Sequence, residues 1–421
     1  MTHKTIINIC LTLIALCWTM AIQAQTATVD GINYSLNSRT KTASVTKSNV
    51  TGDIVIPEKI TVDGVEYSVT SIESKAFSSC ITLTSVDMPA VTSIGGWAFY
   101  ECKALTSVKM PSVTSIAGYA FNSCINLTSV DMPSVTSIYS RAFNRCSNLT
   151  SVDLPSVKSI DGAAFDECSN LTSVNMPSVT SLDNGAFSNC SNLTSVNMPA
   201  VTSIGAIAFS GCSSLTSVDL PSVKSIGSSA FSKCPIRKLY LPSSLTSIGE
   251  YCFFDTREII FAATTPIALA TNAFWEYAVI RVPESAVNDY RTAARWSNYK
   301  DRILSMSDST DYEVTVTAQE KESGLLNALN QDNLGKVVSL KVTGTINGYD
   351  IMVIRNKMPI LHHLDLTDAT IVANDYEYYT VNHTEDNIIG ALMFSDLNKL
   401  VSIKLPKNAT CIRGSAFSGC I

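Results

Sequence analysis

The feature that most constrains this chain is a repeat. Cysteine stands at 80, 102, 124, 146, 168, 190, 212 and 234, a spacing of 22 residues at every step. Leu at 83 to 215, Val at 86 to 218, Met-Pro or Leu-Pro from 88 to 220, and Ile or Leu at 94 to 226 keep the same step. An Ala-Phe pair closes each unit, from Ala98-Phe99 to Ala230-Phe231. The consensus is C-x-x-L-T-S-V-x-[ML]-P-x-V-x-S-I-x-x-x-A-F-x-x. One such unit cannot bury its apolar side chains alone, whereas stacked copies bury them for one another.

Within a unit, L-T-S-V-x-M alternates and is β-branched at its centre, which predicts a short strand. The proline that follows has no N–H and ends it. V-x-S-I predicts a second short strand, and A-F-x-x-C leaves room for a single helical turn. Coils stacked at the parallel-strand spacing of ~4.8 Å make an array on the order of 40 Å long. The fold class expected is therefore a β-rich solenoid.

The run L-x-x-V-x-[ML]-P…I-x-x-x-A-F-x-x-C resembles the BspA-like leucine-rich repeats, also called the Treponema pallidum type. The resemblance covers about residues 50–305 and again about 360 to the end. The family's usual unit is one residue longer. The resemblance implies a leucine-rich repeat surface protein, and BspA-like proteins are associated with attachment to extracellular matrix proteins and to other bacteria.

The organisation expected around the array is as follows. Residues 1–24 read as a secretory signal peptide, with Lys4 before an apolar run from Ile6 to Met20 and a cleavage point at Ala24-Gln25. Cys17 is an ordinary cysteine of that run, because Leu16 fits a lipid-attachment site poorly. Residues 25–79 form an N-terminal cap and first coil, in which "EKITVDGVEY" adds a hairpin. The solenoid proper is 80–256, with a C-terminal cap at 257–305 carrying a short helix near Val287, Tyr290 and Ala294. A polar linker at 306–312 leads to a second α+β and leucine-rich repeat module, 313–421. That module reads strand, helix, strand, helix, then "LHHLDLTDA" and a further BspA-type unit. The chain stops at Ile421, one residue into the next coil, so a partial chain or a partner docked on the uncapped last coil is expected. No second segment is long and apolar enough to span a membrane.

The net charge is -6, which argues against nucleic acid, whose binding is driven by basic surface. Thirteen cysteines in a secreted chain invite a disulfide reading. In-register cysteines would instead sit one coil spacing apart and point the same way, whereas a disulfide needs a closer, rotated Cβ pair. A ladder of buried thiols acting as small hydrophobes is the expectation. A straight ladder also offers no tetrahedral metal cluster.

No catalytic constellation can be assembled, and no cofactor is implied. His362 and His363 lie on a strand-like segment that sends them to opposite faces, with Asp365 and Asp368 nearby giving only a weak metal-site idea. Asp131 and Asp153 fall next to each other on the first-strand column, as like charges. The column before Ala-Phe is more informative. It reads Trp97, Tyr119, Arg141, Ala163, Gly185, Ile207, Ser229, with Tyr100, Tyr139 and Arg145 nearby. Aromatic residues and arginine dominate binding hot spots. The six residues Trp97, Tyr100, Tyr119, Tyr139, Arg141 and Arg145 are the candidate ligand site. The structural alternative is that these rings pack under the cap or between corners. The function expected is adhesin-like binding of an extracellular protein. A glycan-binding module and a passive spacer or assembly element are the alternatives.

Overall fold

In a computed structural model, residues 25–253, 256–274, 278–379 and 382–420 are described. The expected signal peptide lies outside them. The chain divides into two compact units, the first holding residues up to 237 together with 244–255 and 270–273, the second the remainder.

The first unit is the repeat array. Its second strands pair in parallel with a register of 22 residues, from Ser71↔Ser93 and Ile72↔Ile94 through to Ser225↔Ser247 and Ile226↔Ile248. The first strands form shorter ladders. Gly52–Val55, Leu83–Asp87, Ser107–Lys109 and Ser129–Asp131 make one parallel sheet, and Ser151–Asp153, Ser173–Asn175 and Ser195–Asn197 make another. The break falls between Asp131 and Asp153. Like charges directly opposite each other weaken a ladder. On the next step Asn175 donates to Asp153 at 2.7 Å and Asn197 to Asn175 at 2.7 Å, and there pairing resumes.

The helical turn of each coil takes the form of two successive tight turns, such as Ala98 N–H to Gly95 O and Cys102 N–H to Phe99 O, both 3.2 Å. These corners carry their own ladder between coils. Phe99 N–H donates to Ala120 O at 2.7 Å, Phe121 N–H to Ala142 O at 2.7 Å and Phe143 N–H to Ala164 O at 2.8 Å. Most coils are thus tied to the next on all three sides, and where the first-strand ladder breaks the second strands and the corners keep the tie.

Identical letters become continuous stripes in the core. Nine phenylalanines, Phe77 to Phe253 at steps of 22, stack with centroids 4.9 to 5.7 Å apart and ring planes within 22° of parallel. The cysteines form the expected buried column of free thiols. From Cys102 to Cys234 each thiol donates to the carbonyl of the phenylalanine 25 residues earlier, such as Cys124 to Phe99 O at 3.0 Å and Cys146 to Phe121 O at 3.1 Å, while Cys80 donates to Ser48 O at 3.3 Å. Burial pushes the Cys102 thiol up to about 12, and those of Cys124, Cys146 and Cys168 well above the ordinary range.

The N-terminal end of the array is covered by antiparallel strands Gln25–Val29, Ile32–Asn37 and Thr42–Val45, the last pairing in parallel with Val65–Ile72. The expected hairpin forms from Lys59–Val62 and Val65–Ile72.

The second unit contains a parallel sheet of Lys238–Leu241, Glu258–Phe261, Val279–Val282 and Ile303–Ser305. Against it packs an aromatic cluster of Phe261, Phe274, Tyr290 and Trp296. The helix there is shorter than the spacing suggested: it runs Val287–Thr292 and leaves Ala294 outside. The polar stretch read as a linker is tied down, since Arg281 donates to Ser305 O, Asp308 O and Thr310 Oγ1, and Lys336 pairs with Asp308 at 2.7 Å. Beyond it, Asp311–Val316, Ser339–Ile346, His363–Ile371 and Ser402–Lys404 form a second parallel sheet, with helices Gly324–Ala328 and Gly348–Lys357. Val279 and Leu304 of the first of these sheets share a buried cluster with Ile360. Among the described residues no helix is long and apolar enough to cross a membrane.

Candidate corner groove

Three neighbouring columns of the corner enclose a groove of about 840 Å³. The position before Ala-Phe supplies Lys75, Trp97, Tyr119 and Arg141. The position after Phe supplies Ser78, Tyr100, Asn122, Asn144 and Asp166. The position before Cys supplies Ser79, Arg145 and Glu167. The solenoid repeat brings them together, because residues 22 apart in sequence lie one coil apart in space.

The backbone of the first column is left-handed in coil after coil, with φ of 61° at Lys75, 57° at Trp97, 61° at Tyr119, 56° at Arg141, 56° at Ala163 and 52° at Ile207. Glycine suits this conformation best, and a β-branched residue such as Ile207 is strained in it. The frame therefore imposes the conformation and leaves the side chain open. Large side chains here add nothing that the turn requires.

Trp97 and Tyr119 stack with centroids 5.2 Å apart and planes 10° from parallel. The Lys75 ammonium lies 5.8 Å from the Trp97 ring centre, and the Arg141 guanidinium 5.6 Å from that of Tyr119. Arg141 also donates to the Tyr119 hydroxyl at 2.9 Å. The four side chains form one column, cation, ring, ring, cation. Each face of these two rings meets either the other ring or a cation, so this column offers the groove ring edges.

Beside this column runs a polar line. Asn122 and Asn144 are buried; Asn122 Nδ2 donates to Asn144 Oδ1 at 2.8 Å, and Asn144 Nδ2 donates to Asp166 Oδ2 at 3.1 Å. Burial raises the Asp166 carboxyl, against hydrogen bonds from Ser188 and Asn189 that lower it. A hydrogen bond to Glu101, reinforced by its charge, raises the Tyr100 phenol. Arg145 pairs with Glu167 at 3.2 Å, with both side chains well exposed. A pair of that kind contributes about 0–1 kcal/mol.

Five of the six sequence candidates, Trp97, Tyr100, Tyr119, Arg141 and Arg145, line the groove, and Tyr139 does not. Tyr139 sits two positions before Arg141, in the column of Gly95, and is 49% exposed. Sequence reasoning missed Lys75, Asn122, Asn144, Asp166 and Glu167. The period could have found them, because each is a whole number of coils from a residue already singled out.

The histidine pair behaves as alternation predicts. His362 is buried, while His363 is partly exposed and its Nδ1 lies 2.8 Å from Ser402 Oγ. Asp365 and Asp368 are taken by Lys404 and Lys407, each at 2.9 Å.

Residues 70–194, 180–274 and 377–421 match the model of the BspA type leucine rich repeat region. Together these segments cover more than half of the chain. The protein belongs to the BspA-type leucine-rich repeat family. The family is a repeat scaffold, and no catalytic family accompanies the match. No match was found among curated proteins. Among solved structures, a leucine-rich repeat protein from Bacteroides ovatus is 22% identical, with 94% of this chain and 92% of that one covered and a TM-score of 0.54. The leucine-rich repeat protein of T. pallidum is 30% identical over 45% of this chain and 91% of its own, with a TM-score of 0.41. A leucine rich cell surface protein from Faecalibacterium prausnitzii is 20% identical, covering 81% and 94%, with a TM-score of 0.44. The BspA-type array accounts for the buried columns. The residues of the groove belong to columns that the repeat leaves variable.

Proposed function

We propose that this protein is exported to the cell surface or beyond it and binds a macromolecule of a host or neighbouring cell, as an adhesin does. Residues 1–24 serve as its leader, and the corner groove around Trp97, Tyr119 and Arg141 is its contact site. The single observation that supports this most is the concentration of large aromatic and basic side chains in one run of coils, at a left-handed position that favours glycine. Extended repeats supply broad surfaces for such contacts.

The test is attachment of the purified protein to immobilised matrix proteins and to whole cells. The variant carrying Trp97→Ser, Tyr119→Ser and Arg141→Ser is expected to keep its circular dichroism spectrum and lose attachment. Unchanged attachment would sink the groove as the contact site.

A further inference from the structure

We infer that the groove recognises an extended acidic peptide lying along the solenoid axis, with carboxylates at positions i and i+4 and an apolar side chain between them. This deepens the adhesin reading above and rests on it.

Three observations carry the inference. The first is occupancy of the rings. A sugar platform needs an open aromatic face, and in the Lys75, Trp97, Tyr119, Arg141 column the faces meet each other or a cation. What remains for a ligand is ring edge, which carries partial positive charge, flanked by two cations.

The second is charge. Arg145 is paired with Glu167. Among the described residues, the ion pairs of the structure include neither Lys75 nor Arg141. Two cations outside any salt bridge on either side of an aromatic pair, with Arg141 acting on the Asp166 carboxylate only through its field, call for an anionic ligand. Asp166 and Glu167, one coil beyond Arg141, repel a further acidic group and confine the acidic pair to the span from Lys75 to Arg141.

The third is spacing. Lys75 and Arg141 are three coils apart, roughly 14 Å at the parallel-strand separation. Four residues of an extended chain rise about 13 Å, and positions i, i+2 and i+4 share a face. Acidic groups at i and i+4 then meet the two cations, and the residue at i+2 meets the edges of Trp97 and Tyr119.

The experiment is fluorescence polarisation with the full chain and a labelled peptide containing Glu-Ala-Phe-Ala-Glu. The Gln-Ala-Phe-Ala-Gln peptide and one with the acids at i and i+3 serve as controls. The Glu peptide is expected to bind more tightly than either control. Lys75→Gln and Arg141→Gln are each expected to weaken it about fivefold, as the loss of one partly exposed charge pair does. Binding is also expected to fall as pH drops through about 4, where the peptide carboxyls protonate. Equal binding of the Glu and Gln peptides overturns the inference. So does failure of every peptide, including the case in which a uronic or sulfated oligosaccharide binds instead. If the peptides fail while the triple Ser variant still loses attachment, the peptide class is wrong and the groove stands. If attachment survives the triple variant, the groove is not the contact site and the inference falls with it.

Discussion

Two residue columns show how one repeated letter settles into the fold. The cysteine at the head of each coil has a near-invariant environment: a buried thiol, a phenylalanine carbonyl to accept its S–H, and like cysteines above and below. Burial disfavours the thiolate, which is the reactive form. Of the eleven described cysteines, Cys411 is exposed, Cys420 partly so and the other nine are buried. Titration of the protein lacking residues 1–24, and with them Cys10 and Cys17, is accordingly expected to show at most two fast-reacting thiols in the native state and eleven once unfolded. Many fast thiols in the native state would contradict the buried ladder. The Asp131 and Asp153 column tells the opposite story, since there a variable letter disturbs the frame. Replacing Asp153→Asn removes the like-charge step and extends the amide ladder of Asn175 and Asn197 by one rung. It is expected to stabilise the array by about 0.5 kcal/mol, read as a raised denaturant midpoint. A lowered midpoint would show that the gap in the ladder has another cause.

At the scale of elements, the second unit shows what a leucine-rich coil needs when the proline frame is absent. The helix Gly348–Lys357 starts in a capping box of Asn347 and Asp350. Asp350 is fully buried and accepts from Ser323 Oγ at 2.7 Å, Leu325 N–H at 2.8 Å and Asn347 N–H at 3.0 Å. One carboxylate thus ties the starts of two helices together. Asp350→Ala strands those buried donors and is expected to cost about 3 kcal/mol, seen as a large drop in the midpoint for the second unit. A change under about 0.5 kcal/mol, the size of an ordinary surface substitution, would show that the tie is dispensable.

The strands and helices of this module were legible from short apolar runs, and the period of 22 gave the array outright. The network around Asp350 was not legible, because Ser323, Leu325 and Asp350 share no spacing that marks them as partners. Arg281 escaped for the same reason: nothing in its neighbourhood in sequence points to residues 305–310. The groove lay between these cases. Its aromatic and arginine members stood out by type, whereas Asn122, Asn144 and Asp166 look like ordinary corner polar residues until the period sets them in line with Tyr100. Tyr139 was misplaced because nearness in sequence stood in for membership of a column, and two positions in a tight turn are enough to point a side chain elsewhere.

For the molecule as a whole, the account divides the labour between letters that repeat and letters that change. Leu, Val, Ile, Phe and Cys meet their own kind in the next coil and cannot drift without leaving a void or a clash. The position before Ala-Phe is free of that constraint, and its large residues in the early coils give way to small ones later, before Ile207 and Tyr251. Those two provide an internal control, since they share the column and its left-handed backbone yet lie outside the groove. The most direct measurement compares attachment to cells and matrix proteins for two variants of matched stability. One carries Trp97→Ser, Tyr119→Ser and Arg141→Ser, and the other carries Ile207→Ser and Tyr251→Ser. The account predicts loss of attachment in the first and full attachment in the second. Equal attachment by both, or equal loss in both, would contradict it.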